Sequence, residues 1–303
     1  MPAQLYFDTH VVSEGGTAGL SRCIIAVWGV MLPNNGDNGA DKGAIIESSG
    51  RLWTIGAIHG DVDHLCAMHD ALAGRIELDD RLVYLGDFLG HGSEIIETID
   101  ELLHFRATFL ARPPFVHQDN FICLRGQQEE VWQKLLQLQF AVNPVEVLEW
   151  AFAHGADATL RAYGGDPDVA IACARGGPVA LTRWAGEMRD AMRAHPGHMA
   201  LMSSLRRSVW TDDGGLLFVN AGIDPEKPVA RQSDAFWWGN TKFDRIDAPY
   251  AGFHTVVRGL DPVRRGFAMT PWTLTVDGGC GAGGHLMAVC LAPDGQILDR
   301  LDR

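Results

Sequence analysis

The chain has 303 residues, 47% of them hydrophobic and 21% charged, which is enough apolar material for one large domain or two small ones. Its formal net charge of −13 argues against a nucleic-acid-binding surface, which needs clustered Lys and Arg to face phosphates. No apolar run reaches the roughly 18–20 residues of a membrane-spanning helix, so neither a nucleic acid nor a membrane is expected as a partner.

Residues 1–50 read as an N-terminal extension. "RCIIAVWGVML" has the composition of a strand, and "PNNGDNGADKG" that of a mobile loop. No basic segment followed by an apolar one opens the chain, and a cytoplasmic setting is expected. The six cysteines, Cys23, Cys66, Cys123, Cys173, Cys280 and Cys290, show no C-x-x-C spacing, and five lie beside apolar residues as buried free thiols do. Neither a disulfide framework nor a zinc knuckle is expected.

From residue 51 the punctuation becomes regular. "RLWTIGAIHG" reads as a strand closed by glycine, and "DVDHLCAMHDAL" as a helix with Leu65, Met68 and Leu72 on one face. Asp61 and Asp63 stand where helix-capping acids are expected. "RLVYLGDFLGHGSE" repeats the design, with a strand over 81–85, a Gly-Asp turn, and a helix from 93 that Ser93 is placed to cap. "NFICLRGQQEEVW" makes a third strand–turn–helix passage. Three such units in series predict an α/β sheet with functional groups at the strands' C-terminal ends.

Residues 130–210 read as mostly helical. Beyond them, "GLLFVNAGIDP", "TVVRGLDP", "WTLTVDGGC" and "HLMAVCLAPDGQIL" are short strands between glycine turns, ending in a hairpin near Pro293-Asp294-Gly295. "GGCGAGGH" (278–285) lies before a strand, not a helix, and so reads as a strand connection, not a phosphate-cradling loop. Cys280 has no partner base in sequence that would make it a nucleophile. Trp210, Trp237, Trp238 and Trp272 read as core or rim packing.

Divalent metals engaged in phosphate chemistry need carboxylates and imidazoles converging from several strand ends, and these turns could supply them. In order, the turns are "GAIHG" (56–60), "GDFLGHG" (86–92), "RGQQE" (125–129), "FVNAGIDP" (218–225), "RGLDP" (258–262) and "VDGGCGAGGHLMAV" (276–289). They resemble the calcineurin-like metallophosphoesterases, nearest the bacterial phosphoprotein-phosphatase and diadenosine-tetraphosphatase-like branch, whose motifs run GDIHG, GDxxDRG, RGNHE, FVHAG, GHTP and IDTG…GG. The resemblance spans roughly residues 51–300. "WAFAHGADATLRAYGG" is similar to that family's cap helix, and "DAFWWGNTKF" to its Trp-containing segment. It implies a sandwich of two mixed sheets flanked by helices over 51–303, with a helical cap inserted at about 130–210.

The same resemblance marks departures. The family's first metal-binding Asp is Ala57 here, while its partner histidine is kept as His59 and the bridging Asp as Asp87. Gln127 replaces the metal-binding Asn, and Gln128 the catalytic histidine that protonates the leaving group. Asn220 and Leu260 stand where two further histidines are expected, and Gly90-His91 replaces an Asp-Arg pair. Arg125 remains as a phosphate-binding remnant, together with Glu129. Two of six metal-ligand positions are kept, and Gln128 has no proton to deliver near neutral pH.

The expectation is therefore a catalytically inactive phosphoesterase fold that serves as a binding, scaffolding or regulatory subunit, with a protein partner and no cofactor. The buried Asp87 carboxylate should find a substitute partner among His59, His91 and Arg125. The alternative is a phosphoric ester hydrolase with one divalent metal, Mn, Fe or Zn, rebuilt around His59, Asp87 and His91. A weaker alternative is a phosphate or nucleotide sensor using Arg125.

Overall fold

The computed structural model describes residues 43–113, 116–232, 234–239 and 242–303. The strand and loop expected within the first 42 residues lie outside these. Among the described residues, eleven strands form two sheets. The first runs, in spatial order, β1 (Ala44–Ile46), β5 (Val209–Thr211), β6 (Leu216–Val219), β7 (Thr255–Arg258), β9 (Thr273–Thr275) and β8 (Ala268–Met269). The second runs β11 (Ile297–Asp302), β10 (Met287–Leu291), β2 (Leu52–Ile55), β3 (Arg81–Tyr84) and β4 (Phe121–Cys123). Both are mixed: β2, β3 and β4 are mutually parallel, as are β6, β7 and β9, while β10–β11, β10–β2, β5–β6 and β8–β9 pair antiparallel. Because β1 pairs with β5, the folded unit starts before residue 51, the boundary that the motifs suggested.

Strand alternation explains the layering. In β3 and the residue after it, Val83 and Leu85 face the other sheet, while Leu82 and Tyr84 face helices. In β6, Leu216 and Phe218 point into the sandwich, whereas Leu217 and Val219 pack outward against Phe236, Trp237 and Phe243. Strands β2, β3, β4, β6 and β10 are buried at every residue, which is why they read as largely apolar runs, whereas β8 and β11 at the sheet edges are not.

Helices α1 (Val62–Ala73) and α2 (Ile95–Leu110) cover the outer face of the second sheet, and α3 (Gln127–Leu135) follows β4. Between α3 and β5 run α4 (Pro144–Ala153), α5 (Ala156–Ala162), α6 (Pro167–Gly176), α7 (Pro178–Arg193) and α8 (His198–Ser204), which join the same apolar core. A short α9 (Ala235–Trp238) lies against the first sheet.

Two local expectations are corrected. Glu94, not Ser93, holds the N-terminal cap position of α2, and no side chain closes that end. Of the described thiols expected to be buried, Cys123 and Cys290 are and Cys173 is half-buried, but Cys66 is exposed because it falls on the outer face of α1; Cys280, flanked by glycines, is buried too. No described helix is long and apolar enough to cross a membrane.

Candidate functional site

The C-terminal ends of β2, β3 and β6, and the start of α3, bring their loops together, and the backbone sews them to one another. Ile58 and His59 donate their N–H groups to Asp87 O at 3.0 and 2.7 Å, and Gly60 donates to Phe88 O at 2.9 Å. Ala57 donates to Gly259 O, while Gly259 and Leu260 both donate to Asn220 O. Two glycines permit the closest approach. A Cβ on Gly86, whose φ is +90°, would lie 2.5 Å from Gly126 N, and one on Gly126 would lie 2.2 Å from Asp87 N. Gly86 and Gly126 are thus required by the loop contact itself, and Gly86 by its positive φ as well.

His59, Asp87 and His91 all adopt the left-handed backbone, with φ of 57°, 58° and 60°. That conformation costs an L-residue roughly 1–2 kcal/mol, so the cross-loop hydrogen bonds must hold it.

Asp87 is fully buried. Its Oδ2 accepts from Asn220 Nδ2 at 2.8 Å and its Oδ1 from the Gln128 backbone N–H at 2.9 Å. The expectation of a partner in His59, His91 or Arg125 is therefore corrected. Asn220 is also fully buried; it donates to Leu85 O at 2.8 Å and accepts from the Gln127 backbone N–H at 3.1 Å. One amide thus ties together the ends of β3, β4 and β6.

Glu129 does the complementary work from α3. Its carboxylate accepts four backbone N–H bonds, from Asp87 (2.9 Å), Phe88 (2.8 Å), Leu89 (3.0 Å) and Gly126 (2.7 Å). Burial and the neighbouring Asp87 push Glu129 up, against the downward pull of the Leu89, Asp87 and Gly126 amides.

The other positions follow. His59 is buried, with Nδ1 3.4 Å from Leu89 O, and its ring meets that of the exposed His91 edge-on at a centroid distance of 4.9 Å. Desolvation and the facing His59 lower His91 to about 4. Gln128 donates its side-chain N–H to His154 O at 2.9 Å. Arg125 donates to Glu130 at 3.2 Å, so its guanidinium is paired with a carboxylate. Ala57, Ala221 and Leu260 pack together as a small buried apolar cluster.

These residues do not fit a two-metal centre. Ala57 and Leu260 carry no donor atom and have become packing, and Asp87 and Asn220 spend their polar atoms on each other and on backbone amides. Among the described residues, the groups of three His, Cys, Asp or Glu ligand atoms lying within 4.8 Å of one another reduce to Asp61, His64 and Cys280; His59, Asp87 and His91 do not form one. Asp61 is the N-terminal cap of α1, as the sequence predicts, accepting from the His64 backbone N–H at 3.1 Å. Burial, aided by Asp61, pushes the Cys280 thiol up to about 12, so it is a protonated thiol and not an activated nucleophile.

No family model matches the chain, and no curated protein sequence is detectably similar to it. Among solved structures, it is similar to a proposed diadenosine tetraphosphatase, at 18% identity and a TM-score of 0.49 over 87% of this chain and 98% of that one. It is also similar to a protein serine/threonine phosphatase from Saccharomyces cerevisiae, at 13% identity and a TM-score of 0.47 over 87% of this chain and 83% of that one. A metallophosphoesterase from Sphaerobacter thermophilus matches at 13% identity and a TM-score of 0.41, over 84% and 88% of the two chains. At these identities the likeness is one of chain path.

Proposed function

We propose that this chain is a phosphoesterase-fold protein without phosphoesterase activity, acting as a binding or regulatory subunit for a protein partner. The observation that carries the reading is the Asn220–Asp87 hydrogen bond, 2.8 Å long and wholly buried. Where the resembled family holds metal between these two positions, this chain spends the carboxylate on a neutral amide. Three further substitutions support it. Ala57 and Leu260 offer no ligand, and Gln128 carries no titratable proton. Loss of a general acid alone costs about 10²–10⁴ in rate, and loss of a two-metal cluster removes the activated water as well.

The test is release of p-nitrophenol from its phosphate monoester and diester by the purified full chain in excess manganese. The proposal expects no turnover above the buffer rate. Turnover that disappears in Asp87→Ala would overturn it.

A second reading, a hydrolase with one rebuilt metal, draws on the adjacent imidazoles of His59 and His91. It requires that His59→Ala and Asp87→Ala each abolish a measured activity while leaving thermal stability nearly unchanged. The carboxylate's commitment to Asn220 and Gln128 favours the first reading.

A further inference from the structure

We propose that Asp61, His64 and Cys280 form a site for one divalent cation of the zinc class, adjoining the loop cluster around Asp87 but using none of the residues that bond its carboxylate. An oxygen, an imidazole nitrogen and a sulfur lie within 4.8 Å of one another there. This mixed donor set suits zinc and disfavours magnesium, calcium or manganese, which prefer oxygen ligands.

The fold supplies the three ligands from two places. Asp61 caps α1 and His64 lies in its first turn, so a spacing of three puts both side chains on one face of the helix start. Cys280 comes from the connection between β9 and β10, a turn braced by Asp277 Oδ1 accepting from the Gly279 N–H at 2.8 Å and by a bridge between Gly279 and His285. The thiol is buried, while Asp61 and His64 are half-buried and line a cleft of about 360 Å³ with Gly281 and Gly283. Three protein ligands beside an open cleft leave a coordination position for water or a partner's side chain, as in zinc sites that exchange ligands.

A second observation points the same way. His64 Nδ1 is shut off from solvent and makes no aligned hydrogen bond, although Asp61 Oδ1 is only 2.7 Å away. The 2.7 Å contact is that of an ion-paired His–Asp couple; a cation would part the two atoms to the spacing of about 3.3 Å that tetrahedral zinc sets between ligands, turning the Nδ1 lone pair to the metal. Uptake is balanced by one proton: the Cys280 S–H bond breaks, the sulfur–zinc bond forms, and the proton leaves to solvent.

The inference does not depend on whether the chain hydrolyses anything. The experiment titrates the chelator-treated full chain with cobalt(II), then zinc(II), following the thiolate-to-cobalt charge-transfer absorption. The expected result is a band that saturates at one equivalent and is bleached by zinc. Cys280→Ser removes the band and weakens zinc binding at least 10-fold. His64→Ala weakens it similarly, and Asp61→Asn does so while keeping an N-cap residue. Cys66→Ser, which removes an exposed thiol from α1, leaves both readouts unchanged. Absence of the band in the wild-type chain would overturn the proposal, and that result needs no variant to fold. Equal zinc affinity in Cys280→Ser, or loss of the band in Cys66→Ser, would also overturn it.

Discussion

Asn220 Nδ2 donates to Asp87 Oδ2 across 2.8 Å, between residues 133 positions apart and both fully buried. With the Gln128 N–H on the other oxygen, this bond leaves the carboxylate solvated by protein alone. Asn220→Ala removes that donor and strands the Gln127 N–H and Leu85 carbonyl as well. A loss of about 3 kcal/mol or more in unfolding free energy is expected from urea titration, since each buried polar group left unpaired costs about 1–3 kcal/mol. A loss below about 1 kcal/mol would show that the amide does not hold the loops.

Glu129→Gln tests the other brace. One carboxylate oxygen becomes an amide N–H₂, which faces two backbone donors in place of an acceptor. Destabilisation of at least about 2 kcal/mol is expected. The variant's amide exchange should be fastest at residues 87–89 and 126, whose N–H groups lose their acceptor. Uniform exchange across the chain would contradict this placement.

Ala57→Asp restores the acid of the resembled family but places it against Ala221 and Leu260. Burying an unpaired carboxylate there is expected to cost about 3–5 kcal/mol, and manganese should not recover it. Recovery of thermal stability by manganese would mean that a metal shell survives around Asp87.

Helix α2 carries two acids that feed parallel chains. Glu101 pairs with His69, whose other nitrogen lies 2.8 Å from Tyr84 Oη, and Asp100 pairs with His198, whose other nitrogen lies 2.7 Å from Tyr163 Oη. Burial holds both imidazoles below their ordinary value, outweighing the acids that raise them. The folded state therefore favours the neutral rings. Their contribution to stability is full above the unfolded value of about 6.5 and is lost as pH falls below it, by at most about 1.4 kcal/mol per pH unit for each ring. The urea midpoint should fall between pH 7 and pH 5, and the double variant His69→Gln/His198→Gln should show a shallower fall. Identical slopes would contradict this account.

What the sequence makes legible is local. The turns "GAIHG", "GDFLGHG" and "RGQQE" announce strand ends because glycine spacing and apolar runs are short-range properties, and the cap on α1 at Asp61 belongs to the same class. The partner of Asp87 was out of reach, because Asn220 enters through β6 and its role depends on which way one amide turns. Cys280 likewise has no partner nearby in sequence and meets Asp61 and His64 only through the β9–β10 connection. Glu129 is legible as a kept residue, but the four amides it collects belong to two loops that meet only in the fold.

The most direct test of the central claim is a paired measurement on one preparation: p-nitrophenyl phosphate turnover in excess manganese, and bound metal by elemental analysis. The account predicts no turnover and at most about one equivalent of metal, carried by zinc and lost in Cys280→Ser. About two equivalents, with turnover that Asp87→Ala abolishes, would contradict it.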